Sequence, residues 1–138
     1  RLDASLVFND AEVTQDNTLE VGGRVLNVPE VNGSVLAVYE DALASGQRWG
    51  LGGGVTYVGE RLGQARTQAE ADLGVAAFEL PSYVTAKLVG YWRLSPALRL
   101  SVDIDNLFDK TYYASSYSRV WVAPGTARTI TVGLQARF

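Results

Sequence analysis

Two residue types that dominate enzyme chemistry, cysteine and histidine, are absent from all 138 positions. Zinc centres, histidine-ligated haem, cysteine nucleophiles and the Ser-His-Asp arrangement are therefore excluded, and no enzymatic activity is expected. Methionine is also missing, the chain opens on Arg1, and no apolar leader is present, so it reads as a mature product or an excerpt. Long hydrophobic runs are lacking too. Arg, Lys, Asp or Gly interrupts every candidate well before the roughly 18 apolar residues that a membrane-spanning helix needs. Nor does positive charge accumulate. The 12 basic residues are scattered among 15 acidic ones for a net charge of −3, which leaves no basic stripe for a nucleic-acid backbone.

What the chain does have is dispersed apolarity. It is 47% hydrophobic, with 14 Gly, 7 Tyr and 3 Trp, so apolar residues must alternate with polar ones. Six such stretches are legible. The first runs from Leu2 to about Val13, with Leu2, Ala4, Leu6 and Phe8 on one face and Asp3, Ser5 and Asn9 on the other. A polar loop follows from Gln15 to about Glu30. The second strand, about Gly33 to Glu40, is apolar on both faces, with Val35, Ala37 and Tyr39 as one outward row. After the short turn Asp41–Gln47, Trp49, Leu51, Gly53, Val55 and Tyr57 oppose Gly50, Gly52, Gly54 and Thr56. Gly63–Leu80 reads as a second long loop, with a short helical turn within Glu70–Phe78. The fourth strand spans about Tyr83 to Leu94, and Ser95-Pro96-Ala97 is the tightest turn. Leu98, Leu100, Val102 and Ile104 then alternate with Arg99, Ser101, Asp103 and Asp105. The last strand sets Ile130, Val132, Leu134, Ala136 and Phe138 against Thr129, Thr131, Gly133, Gln135 and Arg137.

Alternation alone suits a soluble β-sandwich as well as a membrane barrel. Long loops at one end, short turns at the other and strands of about 12 residues favour the barrel. Aromatics gather near strand ends, where a headgroup layer keeps the ring half desolvated and its polar atom wet. Tyr39, Trp49, Trp92 and Phe138 would form one belt, and Phe8, Tyr57, Tyr83, Tyr112 and Tyr113 the other. The expected fold is all-β, an antiparallel up-and-down meander of about six strands from a transmembrane β-barrel. Six strands cannot close, since single-chain barrels start at about eight. The chain must be incomplete or must assemble. A soluble β-sandwich binding module and a small structural outer-membrane barrel stay open as alternatives.

One stretch is more specific. Asp105-Asn106-Leu107-Phe108-Asp109-Lys110-Thr111-Tyr112-Tyr113 resembles the Asn-Leu-Phe-Asp-Lys-x-Tyr motif of TonB-dependent outer-membrane receptors, especially ferric-siderophore receptors, with Asn106, Leu107, Phe108, Asp109, Lys110 and Tyr112 as its matching positions. Three weaker pieces follow the family's order: Gly22-Gly23-Arg24-Val25-Leu26-Asn27-Val28-Pro29, Tyr57-Val58-Gly59-Glu60-Arg61 and Pro124-Gly125-Thr126-Ala127-Arg128-Thr129. Ala127 stands where the family commonly has Pro. The ending, Thr131-Val132-Gly133-Leu134-Gln135-Ala136-Arg137-Phe138, is similar to the signal read by the outer-membrane assembly machinery, carried here by Thr131, Gly133 and Phe138. Ala136 is small where an aromatic is usual.

The resemblance implies that residues 1–138 are the C-terminal segment of a receptor barrel of about 22 strands, in the outer membrane of a Gram-negative bacterium, without its N-terminal plug domain. It implies uptake of a ferric siderophore as transported ligand, no covalently bound cofactor, outer-membrane lipid as surroundings, and contact with the TonB complex through the missing N-terminal part. Ligand contacts would fall on the outer loops, where rings and Arg hold an anionic planar chelate by stacking and charge. Tyr113, Tyr117, Arg119 and Trp121 form the densest such cluster, which would equally serve loop packing and interfacial anchoring. Asp103 and Asp105 share a strand face about 7 Å apart. They read as a solvated inner wall paired with Lys87 or Arg99, with no metal bound directly.

Overall fold

The computed structural model describes residues 1–137. Its strands are β1 (Leu2–Phe8), β2 (Val31–Ala42), β3 (Arg48–Val58), β4 (Arg61–Leu62), β5 (Glu79–Leu80), β6 (Tyr83–Ser95), β7 (Leu98–Asp105), β8 (Tyr113–Ser118), β9 (Trp121–Pro124) and β10 (Thr129–Ala136), with one helix, α1 (Gln68–Asp72). Six of them form a single antiparallel sheet in the order β1-β2-β3-β6-β7-β10. Short turns join β2 to β3 and β6 to β7. At the opposite end, three long loops carry the small β4–β5 and β8–β9 pairs and α1.

The six strands are those expected from alternation, with shifted ends. β1 stops at Phe8, not near Val13, because Asn9 turns the chain: its amide donates to Glu30 O at 2.8 Å and its Nδ2 to Pro29 O at 2.9 Å. The helix begins earlier than the expected turn. Thr67 and Glu70 form a reciprocal capping box, which fixes the first turn at Gln68. The pairs β4–β5 and β8–β9 were not legible, since two to six residues are too few to show a period.

Register aligns every apolar row. Leu6 faces Gly33, Val35 faces Val55, Val55 faces Ala86, and Val132 faces Val102, which faces Gly90. The uncertain phase of β2 is thereby resolved in favour of Val35, Ala37 and Tyr39 on the outward side. One face is apolar, aliphatic at mid-height with aromatics toward its ends, and it is exposed: Leu6 is 63%, Val132 66% and Leu134 70% accessible. Among the described residues no second layer packs over it, which overturns the β-sandwich reading. A single sheet with such a face needs an apolar surround, and hydrocarbon supplies one along its whole width. β6, at 13 residues, is about 40 Å long. Tilted at about 45°, that length crosses the apolar band of a membrane.

The other face carries Ser, Thr, Asp, Lys, Arg and glycines, with Leu36, Val38 and Val89 among them. On β3 the inner positions are Gly50, Gly52 and Gly54. A Cβ on Gly52 would lie 2.6 Å from Ala37 O and 2.7 Å from Val38 Cγ2, so glycine lets the neighbouring strand lean in as the sheet curves. Ser5 and Ser34 hydroxyls meet at 2.9 Å, Tyr91 OH donates to Glu40 at 2.6 Å, and Lys87 Nζ pairs with Asp105 at 3.2 Å. Arg99 departs from the expected pairing and lies 4.3 Å over the Tyr91 ring.

The assigned faces make a paired test. In the full-length protein, Val132→Lys should lower the urea stability in lipid vesicles by about 2–4 kcal/mol, the usual cost of a cation at bilayer mid-depth. Thr131→Lys, one residue away and opposite Asp103, should change it by less than about 1 kcal/mol. Equal losses for both would refute the face assignment.

Candidate functional site

The long-loop end is where a ligand would first arrive, and its three loops are tied into one plate. β7 ends because Asn106 turns left-handed at φ 48°, and Asp109 does so at φ 51°. Asn106 is buried. Its Oδ1 accepts from Lys110 N at 2.9 Å, while its Nδ2 donates to Lys110 O at 2.9 Å and Thr126 O at 3.0 Å. Asp109 Oδ1 accepts from Arg128 N at 2.8 Å. The motif Asn106–Lys110 thus closes the base of the third loop, stitching its entry to its exit. Leu107 N still reaches Ala86 O at 2.8 Å, Phe108 is exposed, and Tyr112 stacks on Tyr83 at 4.3 Å. Gly125 sits beneath the Tyr112 ring, where any side chain would collide.

Arg61 anchors the second loop to the third. Only 2% of it is exposed, and its guanidinium donates to the carbonyls of Tyr113, Ala114 (3.0 Å) and Pro81 (3.5 Å) while lying 5.3 Å from the Tyr83 ring centre. Carbonyls and a π face take the place of a carboxylate partner. Tyr83 and Tyr112 are therefore packed beneath the loops, a correction to their expected place in the outer aromatic belt. Phe8 and Tyr57 do face outward there. At the other end Tyr39 meets Trp49 at 5.7 Å and Trp49 pairs with Trp92; Phe138 lies outside the described residues.

The first loop joins through Asn27, held at φ 60°. Its Nδ2 donates to Ser116 O at 2.8 Å and its Oδ1 accepts from Ser116 N at 2.9 Å, so one amide stands in for a strand neighbour of β8. Arg66 grips Glu20 through two bonds of 2.7 and 2.5 Å. Those bonds, with the guanidinium charge, hold the Glu20 carboxyl below its ordinary range. Glu70 is likewise lowered, first by the Thr67 amide and then by its hydroxyl. Arg24 reaches both Glu79 at 2.9 Å and Glu30 at 3.1 Å.

This plate supports the β8–β9 hairpin, where the expected cluster falls. Tyr117 and Trp121 stand 78% and 75% exposed, with Val120 at the tip between them and Tyr113 at the hairpin base. Arg119 differs from the rest: its Nη2 donates to Ala76 O at 2.9 Å and its amide to Gln64 at 3.1 Å. It serves the plate, while the rings face outward. Asn27, Arg61 and Ser116 were missed as organising residues, because each is defined by partners some 20 to 90 positions away.

Comparison with known proteins settles the class. The family described as TonB dependent receptor-like, beta-barrel, matches residues 1–107. The chain belongs to the TonB-dependent receptors. It is 40% identical over all 138 residues to the metal-pseudopaline receptor CntO of Pseudomonas aeruginosa, in two strains, and spans 18% of that protein's length. In fold it is similar to the siderophore receptor PiuA of Acinetobacter baumannii, with TM-score 0.76 and 19% identity over 98% of this chain and 19% of that one. The ferripyoverdine receptor of P. aeruginosa follows at TM-score 0.64 and 21% identity, over 83% and 15%. The sheet is thus part of the wall of a TonB-dependent receptor barrel in a Gram-negative outer membrane, with the apolar face toward lipid and the polar face toward the lumen.

Two tests address the plate. Arg61→Leu removes charged hydrogen bonds from buried carbonyls, and should destabilise the third loop by on the order of 3 kcal/mol. Amide exchange across 112–118 should rise about 100-fold while β2, β3 and β6 stay protected. Acid should act through Glu20 and Glu70. Their carboxyls titrate below their ordinary value of 4.5 when folded, so the stability they contribute is complete above that pH and is lost as pH falls through the folded values. Protection against exchange in loop residues 16–24 and 64–75, taken relative to the intrinsic rate at each pH, should therefore fall only below about pH 4.5, and a loss already at pH 6 would contradict the assignment.

Proposed function

We propose that this chain is the C-terminal part of an outer-membrane receptor that takes up a metal chelate of the siderophore type, energised by the TonB complex. The observation that carries the reading is 40% identity along the whole chain to a metal-pseudopaline receptor, outer loops included. The exposed rings of Tyr117 and Trp121 fit it. They offer stacking surface for a planar, anionic chelate, and the plate beneath holds them at little entropic cost. A plug and the segment that meets TonB would lie in the parent protein N-terminal to this chain. Thr131, Gly133 and Phe138 would serve insertion by the assembly machinery, Gly133 by leaving room for Ser101 Oγ, which a Cβ would approach to 2.7 Å. Ferric siderophores and chelates of other metals share this recognition chemistry.

The test is uptake by cells expressing the full-length receptor. Labelled ferric siderophores and labelled chelates of other metals are supplied in parallel, with and without the membrane energy source. Energy-dependent uptake of one chelate class supports the proposal; uptake of none, with the receptor folded at the surface, would falsify it. Tyr117→Ala combined with Trp121→Ala should weaken chelate binding about tenfold or more, equivalent to losing roughly 1.4 kcal/mol or more.

A further inference from the structure

At the short-turn end, the lumenal face carries a charge arrangement that the sheet itself does not balance. Arg48 pairs directly with Arg93 across β3 and β6, and Arg93 pairs directly with Arg99 across β6 and β7. Gln135 of β10 follows beside Arg99. Arg137 is fixed just beyond β10 by its amide bond to Ala97 O at 2.9 Å. Like charges directly opposite on antiparallel strands repel and destabilise the pairing. Two such contacts in succession need an anion.

Among the described residues, none of these four arginines is in an ion pair with a carboxylate. Of the acidic residues on the same face, Glu40, opposite Gly50, has its Oε1 engaged by Tyr91 OH at 2.6 Å, and Asp105, at the other end of β7, is paired with Lys87. Arg99 lies over the Tyr91 ring. Arg93, Arg99 and Arg137, with Ser95 and Gln135, also line a cavity of about 70 Å³. That is room for a carboxylate or about two waters.

We infer that this arginine row is a docking seat for carboxylate side chains on another segment of the parent receptor, held against the wall at the lumen mouth. Three observations select that occupant. The row is on the lumenal face, so lipid headgroups on the outside of the wall do not reach it. The guanidinium forks match a carboxylate bidentately, and the cavity is the size of one. The relatives are more than five times as long as this chain, which spans 18% of them, so polypeptide to supply the acids exists in such proteins. The seat rests on the barrel assignment alone and is independent of which chelate is carried.

The test converts the seat into a coupling site. Arg93→Lys and Arg137→Lys, each in the full-length receptor in outer-membrane vesicles, keep the charge and supply an amine. A zero-length carbodiimide then joins that amine only to a carboxylate in contact, and mass spectrometry of the digest identifies it. The Lys87–Asp105 pair, 3.2 Å apart, is the internal control for reaction, and heat-modifiable gel mobility the control for folding. The expected product links position 93 or 137 to an Asp or Glu outside residues 1–138. Links confined to Glu40, Asp103 or any other carboxyl within residues 1–138 would overturn the proposal. So would no link at either position while Lys87 couples. Native mass spectra showing a retained anionic phospholipid, lost in Arg93→Gln with Arg99→Gln, would assign the row to lipid instead.

Discussion

Hydrocarbon offers no partner to a backbone amide, and everything in this structure follows from meeting that demand by strand pairing alone. Within the sheet β2, β3, β6 and β7 are laddered on both sides and β1 and β10 on their inner side, so pairing runs laterally and the two faces are left free to differ. One face then takes aliphatic side chains that meet lipid, and the other takes polar and charged ones that meet water. Among the described residues no interior lies between layers of sheet. This is why large aliphatic residues are exposed while an arginine, Arg61, is among the most buried residues of the chain.

The loops face the same demand by other means. Outside the sheet the ladders are short, only β4–β5 and β8–β9 among the described residues, so side chains stand in for strands: Asn27 pairs with the Ser116 backbone, Asn106 spans Lys110 and Thr126, and Arg61 collects three carbonyls. A buried cation is tolerated because carbonyl dipoles and the Tyr83 ring replace its hydration. The family motif from Asn106 to Lys110 acquires a physical meaning here. It is a loop clasp, and the exposed rings of the β8–β9 hairpin depend on it for their placement.

Charge along the inner wall is not uniform. In mid-wall, Lys87 and Asp105 compensate each other locally, as Tyr91 and Glu40 do by hydrogen bonding. Toward the short turns the wall turns basic, and the glycines of β3 let adjacent strands close in beneath that region. A wall whose lower rim is positive has an electrostatic preference for what it encloses.

The sheet was legible in the residues themselves, because period-two alternation over 7 to 13 residues follows from one face meeting lipid and the other water. The class was legible as well, through a motif whose spacing reflects a local turn at Asn106. Strand ends were not, since Asn9 stops β1 by bonds to residues some twenty positions away. The clamps were not either. Asn27 and Ser116 are 89 residues apart, and nothing local marks them as partners. Alternation by itself determined strands with two unlike faces, because side-chain period is a local property of the chain, and loop lengths, aromatic placement and the Asn106 motif made that a barrel wall. Only the tertiary structure decided which loop residues hold the outer plate, which aromatics stack beneath it, and that Arg48, Arg93, Arg99 and Arg137 come together, because those depend on register between strands distant in sequence.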